Sequence, residues 1–266
     1  MSRAWGLIVL AVLFSGCEKE EDGPLDVDTV VDHAYFMPSF APVVPWLLAL
    51  DPGPGHWPDV GAVDCAVLDS ISGDTTDFPN SGPVTMYLRY PPGGCMALDG
   101  RSREGTLVVR LDERTTVTDG EFTITCEDHR FGSLRARFRL HGTTLDSTRW
   151  VVMLDSSAMF SSGAWSPRSS GTLVYELSDQ GLPSVAGDEV FTVEHDLLGS
   201  DRMGRPFHAF TVQPLGLLSG CGWLDSGLER IEPDQLSSRD LDHGSGACDG
   251  QATIQVEGQE IGLTIP

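Results

Sequence analysis

Asp242-His243-Gly244-Ser245-Gly246 places an acid, a base and a hydroxyl within five residues. Acyl-transfer chemistry needs the base within hydrogen-bond reach of the nucleophile and an acid orienting the base. Neighbours in one short turn do not achieve that, and the chain has no G-x-S-x-G elbow. The segment therefore reads as a turn in which Gly244 and Gly246 supply backbone freedom ahead of Cys248. A hydrolytic site would have to be assembled from distant residues, with His208 or His243 beside an acid. The seven His are scattered without His-x-His or H-E-x-x-H spacing, so no zinc motif is visible and no cofactor is expected.

Asp240, Asp242 and Asp249 are candidates for calcium, a hard cation that takes carboxylate and carbonyl oxygens. Asp69, Asp74 and Asp77 form a similar acidic stretch. Neither follows the EF-hand pattern, and solvated turn aspartates are the simpler reading. Arg135, Arg137 and Arg139 are candidates for gripping a carboxylate or phosphate ligand, since alternate residues share a strand face about 7 Å apart. Arg101 and Arg103 form a second such pair. In so acidic a chain the nearest partners of these arginines are its own Asp and Glu on neighbouring strands. Trp57, Trp150, Trp165 and Trp223 would make a sugar-stacking platform if exposed and core anchors if buried.

Cys17 carries different chemistry. Arg3 supplies a positive n-region, and Trp5 to Phe14 an apolar stretch of about ten residues, too short to span a bilayer. Ser15 and Gly16 are small, and Cys17 follows them. Ser-Gly-Cys resembles the lipobox of bacterial lipoproteins, with Phe14 in place of the usual small aliphatic residue. The resemblance implies cleavage before Cys17 and acylation of that residue, where more than one chain gives stable anchoring at about 0.8 kcal/mol per buried CH₂. The alternative is an ordinary secreted protein whose Cys17 enters a disulfide. Glu18-Lys19-Glu20-Glu21-Asp22 reads as a solvated tether. It also resembles the surface-export signal of Bacteroidota lipoproteins.

Composition agrees with that address. The 266 residues carry a net charge of −22, and loss of residues 1–16, whose one charged residue is Arg3, takes it to −23. Such a chain should not bind nucleic acid and is repelled by anionic headgroups, so it stands off the membrane that holds it. The expected location is the bacterial cell envelope, at the outer membrane or cell surface. Carbohydrate, peptide or another surface protein is the expected partner. Six Cys without C-x-x-C fit disulfides in an oxidising compartment better than zinc.

The elements that must position these residues are mainly β. Val27 to Tyr35 has helical potential, and Pro38, Pro42 and Pro45 then interrupt it. Trp46–Leu50 reads as a further helical turn or core-packing segment, and Asp51–Pro58 as a loop. Strands are expected at Val84–Tyr90, Thr106–Leu111, Leu134–His141, Arg149–Leu154, Thr172–Leu177, Val190–Glu194 and Phe207–Val212. Hairpins are expected around Asp119-Gly120, between Thr115–Thr118 and Glu121–Thr125, and around Glu257-Gly258, between Ala252–Val256 and Glu260–Ile265. The organisation becomes a signal peptide (1–16), an acidic tether (17–26), a helical and Pro-rich segment (27–58), a first β block (59–155), a Ser/Gly-rich connection (156–171) and a second β block (172–266). Antiparallel sheets are expected, as a sandwich or layered meander in two β subdomains or in two halves of one structure.

Two stretches resemble a family of uncharacterised Bacteroidota-type lipoproteins. Gly94-Cys95-Met-Ala-Leu-Asp99-Gly100-Arg101-Ser-Arg103-Glu-Gly105 matches a C-x-D-G-R-x-R-x-G segment leading into a strand. Leu241-Asp242-His-Gly244-Ser-Gly246-Ala-Cys248-Asp249-Gly250-Gln-Ala252 matches a D-x-G-x-G-x-C-D-x-x-A ending. The order and spacing cover residues 60–266. The extra Cys126, the near-absence of Lys and the Pro-rich 38–58 segment depart from the family pattern. The resemblance, with chain proximity, pairs Cys65 with Cys95 and Cys221 with Cys248, leaving Cys126 as a buried small hydrophobe. It implies a lipidated, β-rich envelope protein and no activity. The resulting expectation is a non-catalytic binding or structural module, with a secreted hydrolase as the alternative.

Overall fold

Leu134, Ala136, Phe138 and Leu140 are buried and Arg135, Arg137 and Arg139 exposed along one strand, as period-2 alternation dictates. The same pattern, repeated strand after strand, builds one sheet with a single buried face. The computed structural model describes residues 25–45, 65–97, 100–160, 166–179, 181 and 188–265. Cys17 and most of the tether, Trp46–Leu50, the 51–58 loop, Trp57 and Trp165 lie outside the described residues.

A helix α1 (Asp28–Phe36) precedes β1 (Val67–Ser72), β2 (Val84–Met96), β3 (Ser102–Leu111), β4 (Glu121–Phe131), β5 (Leu134–Asp146), β6 (Arg149–Phe160) and β7 (Arg168–Asp179). Then follow β8 (Val190–Ser200), β9 (Pro206–Leu218), β10 (Ser226–Pro233), β11 (Arg239–Ser245), β12 (Gln251–Val256) and β13 (Gln259–Thr264). Each strand pairs with its sequence neighbours, giving a 13-stranded meander in sequential order. The chain is mainly β and antiparallel, as a meander in place of a two-sheet sandwich. On either side of the Ser/Gly-rich connection β6 and β7 belong to the same sheet: Ser156 pairs with Arg139, and Gly171 with Leu154 and Leu197.

Two apolar clusters share the buried face. The larger takes its residues from β2 to β9 and closes on an N-terminal plug, Phe36 to Val44. Within it Phe40 meets Phe138 at 6.4 Å between ring centroids, and the Tyr175 hydroxyl donates to the Ala41 carbonyl at 3.2 Å. Trp150 is buried there, its indole N–H donating to the Thr115 carbonyl at 2.9 Å. The smaller cluster sets Val30 and Ala34 of α1 against Phe207, Ile231, Leu241 and Ile254. The helix begins where the Asp26 carboxylate accepts the Asp28 N–H, and a 3₁₀ turn at Met37–Ser39, opened by Pro38, ends it.

The helix expected at Val27–Tyr35 and the hairpin at Glu257-Gly258 are present, the latter with φ of 52° and 77°. The hairpin expected around Asp119-Gly120 is not. Residues 113–120 are a compact loop, and the Asp119 N–H donates to the Thr144 carbonyl of β5. Thr115 faces β6 and β5 instead of a partner strand, its carbonyl accepting from both Trp150 and Thr144. Strands β1, β10 and β11 were not expected from sequence.

Cys65–Cys95 and Cys221–Cys248 are disulfides, with Cα separations of 5.9 Å each. Cys126 is free and fully buried. Burial pushes its thiol up to about 12, so the thiolate is scarce at any ordinary pH. Native protein is expected to leave Cys126 unmodified by a thiol reagent at pH 8, with modification appearing only in denaturant. Fast labelling of the native chain would contradict the packing.

His129 of β4 is buried against Tyr90 of β2, whose ring lies 4.9 Å away. Burial, and then the charge of Arg103, push its imidazole down to about 3 from an ordinary 6.5. As pH falls below about 6.5 the unfolded chain binds a proton that the native chain refuses until about pH 3. Acid therefore favours unfolding, by about 1.4 kcal/mol per pH unit for one such proton. Urea melts between pH 7 and 4 should show this slope, and His129→Leu should reduce it by about one proton.

Candidate functional site

The strands carry a few polar residues at inward-facing positions. On β8, His195 lies between the buried Val193 and Leu197. On β10, Glu229 precedes the buried Ile231 by two residues, and on β11 His243 follows the buried Leu241 by two. Alternation therefore sends all three side chains inward. Helix α1 contributes His33, which sits beside the buried Ala34 and one turn after Val30.

These four residues meet. His33 Nε2 lies 2.7 Å and His195 Nε2 2.6 Å from the same oxygen, Glu229 Oε2. His243 Nε2 contacts the other oxygen, Oε1. The side chains of all four are at most 1% exposed. The rings of His33 and His195 are 5.5 Å apart, and Phe207 sets its edge against His33 at 5.8 Å. Burial by itself would raise the Glu229 carboxyl; the neighbouring imidazoles of His33 and His195, with hydrogen bonds from His195 and His243, outweigh it and hold the group well below the usual carboxylate range. Glu229 is thus an anion inside the protein, and each imidazole turns its Nε2 towards it. One atom each from His33, His195 and Glu229 lie within 4.8 Å of one another, a spacing at which ligand atoms can share a cation.

A polar seam beside this cluster fixes the start of α1. Asp26 pairs with Arg205 at 2.7 Å, and its carbonyl accepts from Arg239 at 2.7 Å. The Thr29 hydroxyl donates to Asp201 at 2.7 Å, and the buried Asp32 accepts from the Arg202 guanidinium and its backbone N–H. The turn between β8 and β9 thereby holds the helix immediately after the tether.

Comparison with known proteins finds no matching family model, no matching curated protein and no matching solved structure.

The residues singled out from sequence lie elsewhere. Arg135, Arg137 and Arg139 project from the exposed face of β5, where a groove of about 650 Å³ is lined by Glu127, Asp128, Arg130, Arg135, Arg137 and Phe160. Arg135 is engaged with Asp128 at 2.9 and 2.6 Å, Arg137 with Glu127 at 3.4 Å and Arg139 with Asp155 at 3.6 Å. The chain's own carboxylates occupy these guanidiniums, and exposed pairs of this kind are screened by water.

The aspartates do not converge as a calcium site would require. Asp240 pairs with Arg230 at 2.7 and 2.9 Å. Asp242 accepts the Gly244 N–H and Asp249 the Gln251 N–H, each within its own turn. Asp69 pairs with Arg89, Asp74 accepts from Thr76 and Asp77 from Asn80.

Trp150 is a core residue, and Trp223 stacks on the Arg101 guanidinium, 4.2 Å from its ring centroid. Arg101 also lies 4.1 Å over Phe131 and donates to the Gly222 carbonyl, joining the start of β3 to the loop before β10. No sugar platform forms from these two. His208 meets Asp196 at 2.8 Å on the surface, and His243 meets Glu229. Among the described residues neither imidazole shares a hydrogen bond with a hydroxyl or thiol nucleophile.

His33, His195 and Glu229 were missed because their spacings of 162 and 34 residues match no local motif. The available signal was a polar residue at an inward strand position, twice beside β-branched or leucine neighbours of matching parity: Val193-His195-Leu197 and Leu241-His243.

Proposed function

We propose that the protein is exported, cleaved before Cys17 and held on a bacterial cell envelope by lipid on that residue, and that its β domain is a non-catalytic binding or structural module. The observation that carries this reading is the fate of the other five cysteines. Four are consumed in two disulfides, and the fifth, Cys126, is sealed in the core. Cys17 therefore has no accessible cysteine partner within the chain, which weakens the secreted-disulfide alternative and favours lipidation. The two disulfides also suit an oxidising compartment.

The polar seam gives a tether something firm to end on. Asp26, Thr29, Asp32 and His33 are each bound to the sheet or its turns, so a pull on the tether is delivered to β8–β11 through several contacts. The resemblance to Bacteroidota lipoproteins and the acidic run after Lys19 favour the outer membrane or cell surface. Carbohydrate, peptide or another surface protein remains the proposed partner class.

Cys17→Ser is expected to move the protein from the detergent-soluble membrane fraction to the soluble fraction with its melting behaviour unchanged. Continued membrane association of that variant would overturn the proposed anchor.

A further inference from the structure

We propose that His33, His195 and Glu229 bind one divalent transition-metal ion, with zinc the best-fitting ion, and that His243 positions Glu229 through its second oxygen. The inference goes beyond the envelope reading and does not depend on the lipid anchor.

Ligand atoms from α1, β8 and β10, elements far apart in sequence, come within 4.8 Å of one another. Two ligands at about 2.0–2.2 Å from a tetrahedral ion stand about 3.3–3.6 Å apart, so the two imidazoles, 2.7 and 2.6 Å from Glu229 Oε2, would open by at most about 1 Å, a side-chain adjustment, to admit it. The donor set is imidazole nitrogen and one carboxylate oxygen. Calcium and magnesium ask for more oxygens, whereas imidazole suits zinc, copper, iron and nickel. The carboxylate is also held as metal sites hold theirs, by a hydrogen bond from a further residue, His243, to the oxygen the ion does not need. Finally, burying an anion among three imidazoles is costly when hydrogen bonds are the sole return, and apolar residues of similar size would serve the fold as well. A bound cation gives that burial a purpose. The net charge of −22 raises the local concentration of cations as well.

The exchange is balanced in protons. The ion takes the place of the Nε2 hydrogens that His33 and His195 present to Glu229. Each neutral imidazole then carries its hydrogen on Nδ1, and any additional proton on the cluster leaves to solvent. Metal uptake should therefore weaken as pH falls. The site is closed to solvent, so a bound ion would act as a cross-link between the elements that supply its ligands. Its effect would be to lock α1, and with it the end of the tether, onto β8 and β10.

The test uses the full mature chain, purified without a polyhistidine tag, stripped with chelator and then given zinc or cobalt(II). The proposal expects one equivalent retained after gel filtration, cobalt absorption of a nitrogen/oxygen site and a melting midpoint raised by about 5–10 °C at a hundredfold excess over Kd. His195→Ala and Glu229→Gln should abolish retention. His243→Gln should weaken it by about 10–100-fold and shift the cobalt bands, whereas the surface variant His208→Ala should leave both unchanged. The wild-type cobalt spectrum and the zinc-dependent midpoint decide the matter even if a variant fails to fold. A wild-type chain that retains no ion and shows no shift would overturn the proposal, as would retention that survives both His195→Ala and Glu229→Gln.

Discussion

Glu229→Ala is expected to lower the unfolding free energy by about 3–5 kcal/mol, the scale for removing one partner from a buried ionic group. For a chain of this size that corresponds to a melting midpoint lower by about 6–20 °C. The cause is specific. Glu229 is the one group on which His33, His195 and His243 all converge. Without it three buried imidazoles face a cavity with no acceptor, and an unmet buried donor is expensive. Because His33 lies on α1, the loss should also loosen the helix from the sheet. Hydrogen exchange should rise first at α1 and β10. The depressed carboxyl adds a pH signature. Glu229 is ionised in the native state where the unfolded carboxyl has already taken a proton, so its contribution is full above about pH 4.5 and fades as pH falls towards its lower folded value. Chelator-stripped wild type and variant should therefore differ most at neutral pH and converge in acid. A change in midpoint below about 1 °C would show that the imidazoles do not depend on this carboxylate.

Loss of both disulfides should cost about 7 kcal/mol, about 3.5 for each loop on the chain-entropy account. The sequence separations are 30 and 27 residues. Total stabilities of domains run to about 5–15 kcal/mol, so the reduced chain should be largely unfolded at 37 °C or close to it. The two bridges protect different places. Cys65–Cys95 ties the entry of β1 to the far end of β2, beside the larger cluster. Cys221–Cys248 ties the loop before β10 to the turn before β12, and so the strands that carry Glu229 and His243 to those that close the sheet. Cys221→Ser with Cys248→Ser should therefore expose α1 and β10–β13 to exchange first, and the other pair β1 and β2. Urea melts with and without reductant measure the sum. A reduced protein as stable as the oxidised one would contradict the loop-closure argument.

Much of this architecture is written in alternation. Leu134 to Leu140 with three interleaved arginines gives a strand and its buried face without any knowledge of neighbours. Glu257-Gly258 gives a turn, because both residues adopt the positive φ that a two-residue hairpin requires. Asp119-Gly120 carries the same signal and misleads, since the residues before it are drawn to Trp150 and Thr144 across the sheet. Strand β10 is obscured by the charged run Glu229-Arg230-Ile231-Glu232, and β11 by Asp240-Leu241-Asp242-His243. In both, every second residue is polar and solvent-facing while the inward position is itself polar at Glu229 or His243, so the apolar alternation is broken where the site lies. Parity shows which way a side chain points; it cannot show what it meets. The contact between His33 and Glu229 spans 196 residues and depends on how thirteen strands curl round an N-terminal plug.

The envelope reading rests on residue 17. The most direct measurement is the intact mass of the protein isolated from membranes of the cell that makes it. The account predicts a chain lacking residues 1–16, with acyl groups on Cys17 and the other five cysteines present as two disulfides and one thiol. A chain whose residue 17 is a free thiol or is joined to another cysteine would contradict it.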